Sequence, residues 1–558
     1  MTTNTRRHIA RLTLGALTMS AAALLGAGCG DDASGAAETS FGGGGDASAS
    51  NSTSNGTSGG GVTGGTTGGT TGGTTTFEPE PEERFNFLRP QPSRNYVYVA
   101  NTNLDTVARI DGDTLEITSI EVGDEPTVVR TSQDTNTAVV LNEGSSDVSV
   151  IHSLSDRDEV INLPIRSGFN DLTMAPRGHY ALAWLNYAEI TAEDDVGRFQ
   201  DVNLLCLEQG NEAVFNVSVG FRVLEVEFNE AGDRAYVITE DGVSVLRLDA
   251  IDRDADAQPV AVTEDPLEDA LAVDREVEIT SNGKLALVRT SVLMGLNAVS
   301  LGGALERIVH VPLPDVPTDL DVYDGGARAL AVLKNARQVA LIELDRVLDE
   351  PDAAVRLIDV PEGPLGLATI DPRSNQALLY SVASGEPMVT RLDLATGELV
   401  TWDVRKGVKG LQLAPDSSRA LVFHGNDDAP RSMSQSDQFI AQSWGYTLLD
   451  LSTGFTKLQT TDTEPGEFVF SRDSQWVFIA LEDEGTGARQ VERANLVSFR
   501  IDTYDLASPP VHVGLLPSET VERIYVSQEH PVGRMTFFEI ETGDARTVTG
   551  YELNSRID

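Results

Sequence analysis

The segment LQLAPDSSRALVF (411–423) sets a short polar turn between two apolar runs, and this pattern decides the fold. The runs have the length and composition of β-strands, and the turn carries the Pro, Asp and Ser that tight connections favour. Similar turns recur along the chain at intervals of roughly 40–55 residues. They are APRGHYA (175–181), NEAGDRAY (229–236), SNGKLA (281–286), DGGARA (324–329), DPRSNQA (371–377) and SRDSQW (471–476).

A second repeated element is a hairpin of the form Asp-x-x-Thr-Gly. It occurs as DLATG (393–397), DLSTG (450–454) and EIETG (539–543). Two turns and four short strands in each unit are typical of a propeller blade. The repeats therefore predict an all-β chain, a β-propeller of four-stranded blades. We count nine or ten units, of which the first and last show no obvious innermost strand. One unusually large ring and two propellers both fit this count.

The first unit resembles a known repeat family. NYVYVAN (95–101), DTVARID (105–111) and IEVGDEP (120–126) are similar to the strands and the inter-blade link of the YVTN-type propeller repeat. The match covers about residues 95–150 and decays to a general pattern afterwards. The resemblance implies a propeller, with seven blades in most relatives, and some relatives of this kind are lactonase-like enzymes.

The amino-terminal residues have the pattern of an export signal. Arg6, Arg7 and Arg11 precede an apolar run at 12–27 that is short for a membrane span. Small residues then lead into Cys29, which resembles the bacterial lipobox, although Gly26 stands where that motif prefers Leu. The resemblance implies lipidation at Cys29, with residues 1–28 as the signal peptide. A lipidated chain of this type is exported and membrane-anchored, and Gly30 favours the outer membrane or the cell surface over the inner membrane.

Composition separates the remainder into two parts. Residues 29–85 are dominated by Gly, Ser and Thr and repeat the unit TGGT, so they predict a disordered stalk behind the lipidated cysteine. Residues 86–558 contain all the propeller repeats. Cys206 is the only other cysteine, which excludes a disulfide framework and is typical of a small buried apolar side chain.

The net charge of the chain argues against anionic partners. A net charge of −45 argues against nucleic acid and against adsorption to anionic lipid. The partners predicted from the sequence are therefore the membrane, through the lipid anchor, and an envelope protein or glycan.

Three loops are long enough to form a binding surface. They join the second and third strands of their blades at about 187–201, 425–443 and 482–495, and such loops share one face of a propeller. The second carries the candidate binding residues Asp427, Asp428, Arg431, Phe439 and Trp444. Harmless insertion at loop tips is the alternative explanation.

Catalytic and metal-binding motifs are sparse. The histidines are scattered, and no His-Glu-x-x-His, Gly-x-Ser-x-Gly or phosphate-binding loop occurs. Calcium is the one cofactor that the acidic residues suggest, with Asp111–Asp113 and 193–195 as candidate ligands. Both groups lack the oxygen spacing of an EF-hand. Turns and solvated loops explain these acids better, and 264–278 reads as a solvated segment between blades.

Two functions from different classes follow. The first is a surface-anchored lipoprotein that presents the propeller as a binding module in the cell envelope. The alternative is a lactonase-like or metal-assisted hydrolytic enzyme with its site in the propeller funnel. Carboxylates or histidines from several blades that converge on the axis would favour the enzyme, and fold alone does not decide.

Overall fold

A computed structural model gives the structure of the chain. It describes residues 88–550, except 156, 191–198, 251–254, 265–274, 303–306, 372–374, 383–384, 430–431, 484–487 and 519. The contacts divide the chain into two units, Met1–Glu82 and Glu83–Asp558, and all described residues belong to the second. The predicted signal peptide, Cys29 and the predicted stalk lie outside the described residues.

The described residues form ten sheets of the blade type, each with four antiparallel strands, and one of them has a fifth, parallel strand. The prediction of an all-β propeller is confirmed. The strands of the first five blades, in chain order, are β1 (Gln91–Pro92), β2 (Tyr96–Asn101), β3 (Thr106–Asp111), β4 (Ile117–Glu121); β5 (Pro126–Thr131), β6 (Thr137–Asn142), β7 (Asp147–Ser153), β8 (Asp158–Pro164); β9 (Asp171–Met174), β10 (Tyr180–Trp184), β11 (Asp201–Cys206), β12 (Ala213–Ser218); β13 (Val223–Phe228), β14 (Arg234–Thr239), β15 (Gly242–Arg247), β17 (Pro259–Val260); and β18 (Arg275–Ile279), β19 (Leu285–Thr290), β20 (Gly295–Ser300), β21 (Ile308–Pro312).

The second half of the chain repeats the arrangement with more regular blades. One α-helix interrupts it, α1 (Gln435–Gln442), between the second and third strands of blade 8. The strands of blades 6 to 10 are β22 (Asp319–Tyr323), β23 (Arg328–Leu333), β24 (Gln338–Glu343), β25 (Val355–Asp359); β26 (Leu367–Asp371), β27 (Gln376–Tyr380), β28 (Met388–Asp393), β29 (Leu399–Asp403); β30 (Gly410–Leu413), β31 (Arg419–His424), β32 (Trp444–Asp450), β33 (Thr456–Thr461); β34 (Pro465–Phe470), β35 (Trp476–Asp483), β36 (Ala488–Asn495), β37 (Ile501–Asp505); and β38 (Pro510–Leu516), β39 (Arg523–Gln528), β40 (Arg534–Glu539), β41 (Ala545–Thr549).

The structure corrects the blade count that the family resemblance implies, since there are ten blades and not seven. It also supplies the innermost strands that the first and last units lack in the sequence. The inner strand of blade 1 is only Gln91–Pro92, and that of blade 10 begins at Pro510 and contains Gly514, so neither has a continuous apolar pattern. None of the helices in the described residues is long and apolar enough to cross a membrane.

The connection from blade 4 to blade 5 departs from the repeat. After β15, the two residues of β16 (Ala255–Asp256) pair in parallel with β12 and add a fifth strand to blade 3. The prediction of a solvated segment at 264–278 is wrong at its end, because Arg275–Ile279 is the inner strand of blade 5. Glu278 is buried there, since a strand between two packed blades has little access to solvent.

Hydrophobic packing between neighbouring blades holds the ring together. In the described residues, each junction between consecutive blades contains one buried apolar cluster. A tenth cluster joins blade 10 to blade 1, where Leu516, Tyr525 and Phe537 pack on Val99 and Ile110. The ten blades therefore form one closed ring, which decides against two propellers.

Polar contacts reinforce the closure. Asp113, in the last hairpin of blade 1, accepts hydrogen bonds from the hydroxyls of Ser518 and Thr520, at 2.6 and 2.7 Å from its Oδ1. The Arg523 guanidinium of blade 10 donates to the carbonyl oxygens of Gly112 and Asp113. Because blades 1 and 10 are each built from four strands that are consecutive in sequence, no strand exchange closes the ring, and packing and hydrogen bonds hold this junction.

The ring has two faces with different connections. We call the side with the loops between second and third strands, and with the links between blades, the loop face; the opposite side is the turn face. Buried polar side chains on third strands fix the links: Ser149 Oγ accepts from Gly123 N at 3.2 Å, Ser244 Oγ from Gly220 N at 3.1 Å, and Asn203 Oδ1 from Arg166 N at 2.9 Å. The loop face is thus built on a fixed base.

Substitution of Gly112 by Ala tests the ring closure. A Cβ at residue 112 would lie 1.5 Å from the carbonyl oxygen of Pro517, so blades 1 and 10 have to separate. We expect a loss of about 1–3 kcal/mol of stability, or more, and faster proteolysis at the junction. Thermal unfolding and limited proteolysis of the full chain measure both. Gly302→Ala is the control, because its Cβ meets no atom within 4 Å; equal behaviour of the two variants would contradict this closure.

Candidate functional site

The loop face carries an insertion at 425–443 in blade 8. It connects β31 to β32 and contains α1, the one α-helix in the described residues. The corresponding connection in blade 4 is only the two residues Glu240 and Asp241. Blade 8 therefore has a helix where blade 4 has a two-residue turn.

Local sequence explains where the helix begins. The Ser434 hydroxyl oxygen accepts a hydrogen bond from Asp437 N at 3.1 Å and lies 2.7 Å from the Asp437 carboxylate. Serine satisfies an amide group that has no partner within the helix, and a carboxylate in the first turn faces the positive end of the helix dipole. The SxxD spacing at 434–437 is a helix-start signal that the strand-based prediction did not include.

The carboxyl end of the helix is held by the link between blades 7 and 8. The Ala441 carbonyl accepts from Asp427 N at 2.8 Å and from the Lys406 ammonium group at 2.5 Å. The Lys406 side chain is 2% exposed, and Asp427 Oδ2 lies 3.8 Å from its Nζ. Burial lowers the pKa of the Lys406 ammonium group, which the Asp427 carboxylate partly offsets. A buried cation at the negative end of the dipole thus fixes the helix to the ring.

A buried histidine lies beneath the same insertion. His424, the last residue of β31, contacts the Gly407 carbonyl through Nδ1 at 3.0 Å and the Thr447 hydroxyl through Nε2 at 2.8 Å. Because a carbonyl only accepts, Nδ1 donates and Nε2 accepts from the hydroxyl. Burial lowers the pKa of His424 to about 4. The neutral ring is therefore a structural connection between the link and two strands.

The structure brings some of the predicted binding residues together. Asp427 flanks the carboxyl end of α1, and Phe439 lies on the helix with 61% of its surface exposed. Asp428 is exposed beside Asp427, whereas Trp444 is partly buried in β32, where it pairs with Thr461. Arg431 lies outside the described residues. The sequence did not reveal Lys406, whose only signal is that lysine is scarce in this chain.

The other two predicted loops differ from expectation. In blade 9 the loop at 482–495 is mostly strand, because Trp476–Asp483 pairs with Ala488–Asn495 along its whole length. In blade 3, residues 191–198 lie outside the described residues. The flanks of this loop form an aromatic cluster, in which Arg222 lies 4.6 Å from the centre of the Tyr187 ring and the Phe199 and Phe221 rings are 5.6 Å apart.

Carboxylates do line up on the inner strands of blades 4 to 6, a pattern that the sequence analysis did not identify. Asp319 accepts a hydrogen bond from Ala368 N of the next blade at 2.7 Å, and Glu276 pairs with Arg289 of its own blade. Glu467 in blade 9 likewise accepts from Val513 N of blade 10. Such bonds satisfy the open edge of the neighbouring inner strand. The six residues are Glu225, Glu227, Glu276, Glu278, Asp319 and Asp321.

The candidate calcium residues have structural partners. Asp111 Oδ1 accepts from Asp113 N at 3.0 Å and from Thr114 N at 2.7 Å, which closes the hairpin, and Asp113 joins blades 1 and 10. Residues 193–195 lie outside the described residues. Within the part of the chain that is described, no three His, Cys, Asp or Glu side chains are placed to hold a metal ion together.

Comparisons with known proteins do not identify a family or a function for this chain. No family model and no curated protein matches the chain. Solved structures similar to it include a eukaryotic initiation factor, at 11% identity over 76% of this chain and 96% of that chain, with a TM-score of 0.47. Hydrazine synthase of Kuenenia stuttgartiensis has 12% identity over 78% and 98%, with a TM-score of 0.28. Dihydro-heme d1 dehydrogenase NirN in complex with DHE has 13% identity over 76% and 74%, with a TM-score of 0.35. The resemblance to the YVTN-type repeat stays a prediction.

The buried histidine predicts an acid-sensitive blade 8. The pKa of His424 is about 4 in the folded chain and near 6.5 in the unfolded chain. Between these pH values only the unfolded state binds the proton, so the contribution of His424 to the free energy of unfolding falls as the pH drops through this range. Over the whole range, this loss of stability amounts to roughly 3 kcal/mol. We expect His424→Gln to unfold at a lower temperature at pH 7 but to lose less stability on acidification to pH ~4.5. Thermal scans of both proteins measure this, with exposed His179→Gln as the control; equal pH dependence of His424→Gln and the native chain would refute the assignment.

Proposed function

We propose that this chain is an exported lipoprotein that presents its ten-bladed propeller as a binding module of the cell envelope. The support for export and anchoring is the sequence at 1–29, with its arginines, apolar run and Cys29 after small residues. The support for binding is the blade 8 insertion. The partner that fits this surface is a protein.

The observation that carries the binding role is an exposed aromatic side chain on a fixed helix. Phe439 is 61% exposed, while both ends of α1 are held, by Ser434 at the start and by Lys406 and Asp427 at the Ala441 carbonyl. A rigid aromatic anchor loses little entropy on binding, and aromatic residues dominate the energetics of many interfaces. Met433, 44% exposed just before the helix, extends the apolar surface.

The charges around Phe439 indicate the complementary partner. Asp427, Asp428 and Asp437 are exposed in the insertion, in a chain whose net charge is −45. Carboxylates at the rim of an apolar anchor favour a partner with a basic rim, and they accelerate its association at low salt.

The first described residues show at which face the chain enters the ring. Leu88 N donates to the Ala100 carbonyl near the end of β2, so the chain joins the ring at the loop face, the face that also carries the insertion. A Gly-rich stalk of about 55 residues has a mean span of ~40 Å and a fully extended reach of ~190 Å. In our proposal a stalk of this length separates the ring from the membrane.

The enzyme alternative receives less support. It requires reactive groups that converge on the axis, yet Asp319, Glu276 and Glu467 are engaged with backbone amides or arginine. These three carboxylates therefore hold strands of the ring in place. The binding module is therefore the function that the described geometry supports best.

Anchoring is tested at the cysteine. We expect Cys29→Ser to abolish incorporation of labelled palmitate and to move the protein from the membrane pellet to the supernatant, because the lipid would be its attachment. Cell fractionation and metabolic labelling measure this. Cys206→Ser, which alters the propeller cysteine, should stay labelled and membrane-bound; a Cys29→Ser protein that remains labelled would refute the lipoprotein proposal.

Binding is tested at the aromatic anchor. A photo-reactive phenylalanine analogue at residue 439 should capture a discrete protein in intact cells, whereas the same analogue at Phe455, 54% exposed in a hairpin on the turn face, should not. For the captured protein, we expect Phe439→Ala to raise Kd by about 30-fold, which corresponds to ~2 kcal/mol. Identical capture from both positions, or an unchanged Kd, would exclude this surface.

A further inference from the structure

The chain enters the ring through residues 88–95, which we call the strap. These residues contain β1, the inner strand of blade 1, and the turn that leads into β2. The strap contacts blades 2, 9 and 10 in addition to its own blade. It therefore crosses the junction at which the ring closes.

The pairing of the strap with its own blade is short. Gln91 and Pro92 pair with Tyr98 and Val97, whereas the inner strands of the other nine blades contain four to seven residues. Proline has no N–H group, so neither Pro90 nor Pro92 can donate a hydrogen bond to β2. A strand with so few ladder bonds opens at a lower free energy than the strands around it.

Blades 9 and 10 hold the first half of the strap. Arg89 Nη2 lies 3.1 Å from Glu467 Oε1 of blade 9, and the same carboxylate accepts from Val513 N of blade 10. The buried Tyr525 hydroxyl of blade 10 donates to the Pro90 carbonyl at 3.2 Å, across 435 residues of sequence. The start of the chain is thus bonded to the last two blades.

Blade 2 and the last hairpin of blade 1 hold the second half of the strap. The Thr131 hydroxyl of blade 2 donates to the Pro92 carbonyl at 2.6 Å. The Asn95 carbonyl accepts from Gly112 N at 2.9 Å. Because the Gly112 carbonyl accepts in turn from the Arg523 guanidinium of blade 10, the strap is connected to the residues that close the ring.

We propose that the strap is a detachable lock on the ring: tension on the chain ahead of residue 88 releases it, and its release loosens the junction between blades 10 and 1. The strap carries such tension first, because the described chain begins to bond the ring at Leu88, whose N donates to the Ala100 carbonyl. Release removes the inner strand of blade 1 and leaves the edge of β2 open.

The origin of the tension rests on the proposed function. A chain anchored at Cys29 and held by a partner at the blade 8 insertion is stretched between the two whenever they move apart. The release of the strap does not itself require the anchor, so it can be tested on the protein in solution.

Single-molecule pulling on the full chain tests the release. The protein is made without export, so that Cys29 keeps its thiol, and handles are attached to Cys29 and to Gly302→Cys, an exposed position, in a chain that also carries Cys206→Ser. We expect a first, reversible step before the ring unfolds. Its size should be on the order of the ~28 Å that eight extended residues span.

A pair of tyrosine variants identifies the step. Tyr525→Phe removes the hydrogen bond to Pro90 and should raise the rate of the first step about fivefold at a given force, which corresponds to ~1 kcal/mol. Tyr446→Phe is the matched control, because the hydroxyl of this buried tyrosine also bonds a neighbouring blade, at Glu492, but lies away from the strap. It should leave the first step unchanged.

Hydrogen exchange without force tests whether the strap controls the junction. Thr131→Val removes a bond to the strap from blade 2, on the side away from blade 10, and should speed exchange of the Gly112 amide about fivefold. Thr461→Val, which removes a buried bond from a threonine hydroxyl to the Thr463 carbonyl in blade 8, should not change this exchange.

The proposal is overturned if the ring unfolds without an earlier step, if both tyrosine variants change the first step equally, or if Thr131→Val leaves exchange at Gly112 unchanged. A protein that shows the step and the change in exchange, but carries no lipid at Cys29, would support the strap and refute the anchoring alone.

Discussion

The packing of each blade on its neighbour is the constraint on which the whole structure depends. A four-stranded blade is apolar on both faces, so it is stable only between two others, and the last blade must meet the first. Here that contact is the cluster of Leu516, Tyr525 and Phe537 on Val99 and Ile110. No strand is exchanged across this junction, so the hydrogen bonds of Asp113 with Ser518 and Thr520 are important for the closure although they lie near the surface.

Ring geometry also determines what polar residues do. The inner strand of every blade leaves one edge unpaired, and side chains such as Asp319 and Glu467 satisfy the amides of the following blade. Third-strand residues such as Ser149 and Ser244 hold the links. Carboxylates near an axis would ordinarily suggest catalysis, but here a structural requirement accounts for those whose partners are visible. The blades differ most on the loop face, where helix α1 occurs.

The sequence was sufficient for the blade repeat, because turns such as 414–420 and hairpins such as 450–454 depend on local residues. It was not sufficient for the blade number, since Gln91–Pro92 is a strand only through its pairing with β2. Of the site, Asp427 and Phe439 could be predicted from loop length and composition. Lys406 could not, because its significance depends on its burial and on the Ala441 carbonyl, a partner in another segment.

The loop face is fixed only if the ten blades close into one ring. The most direct measurement is the distance between spin labels at residues 114 and 521, next to the contact between Asp113 and Thr520, placed on cysteines in a chain without Cys29 and Cys206. In the structure, the Thr520 hydroxyl lies 2.7 Å from Asp113 Oδ1, although the two residues are 407 apart in sequence. We expect a single narrow distance distribution at the short limit of the method, because the closed junction holds the two residues together. A broad or long distribution would mean that blades 1 and 10 do not meet and would contradict it.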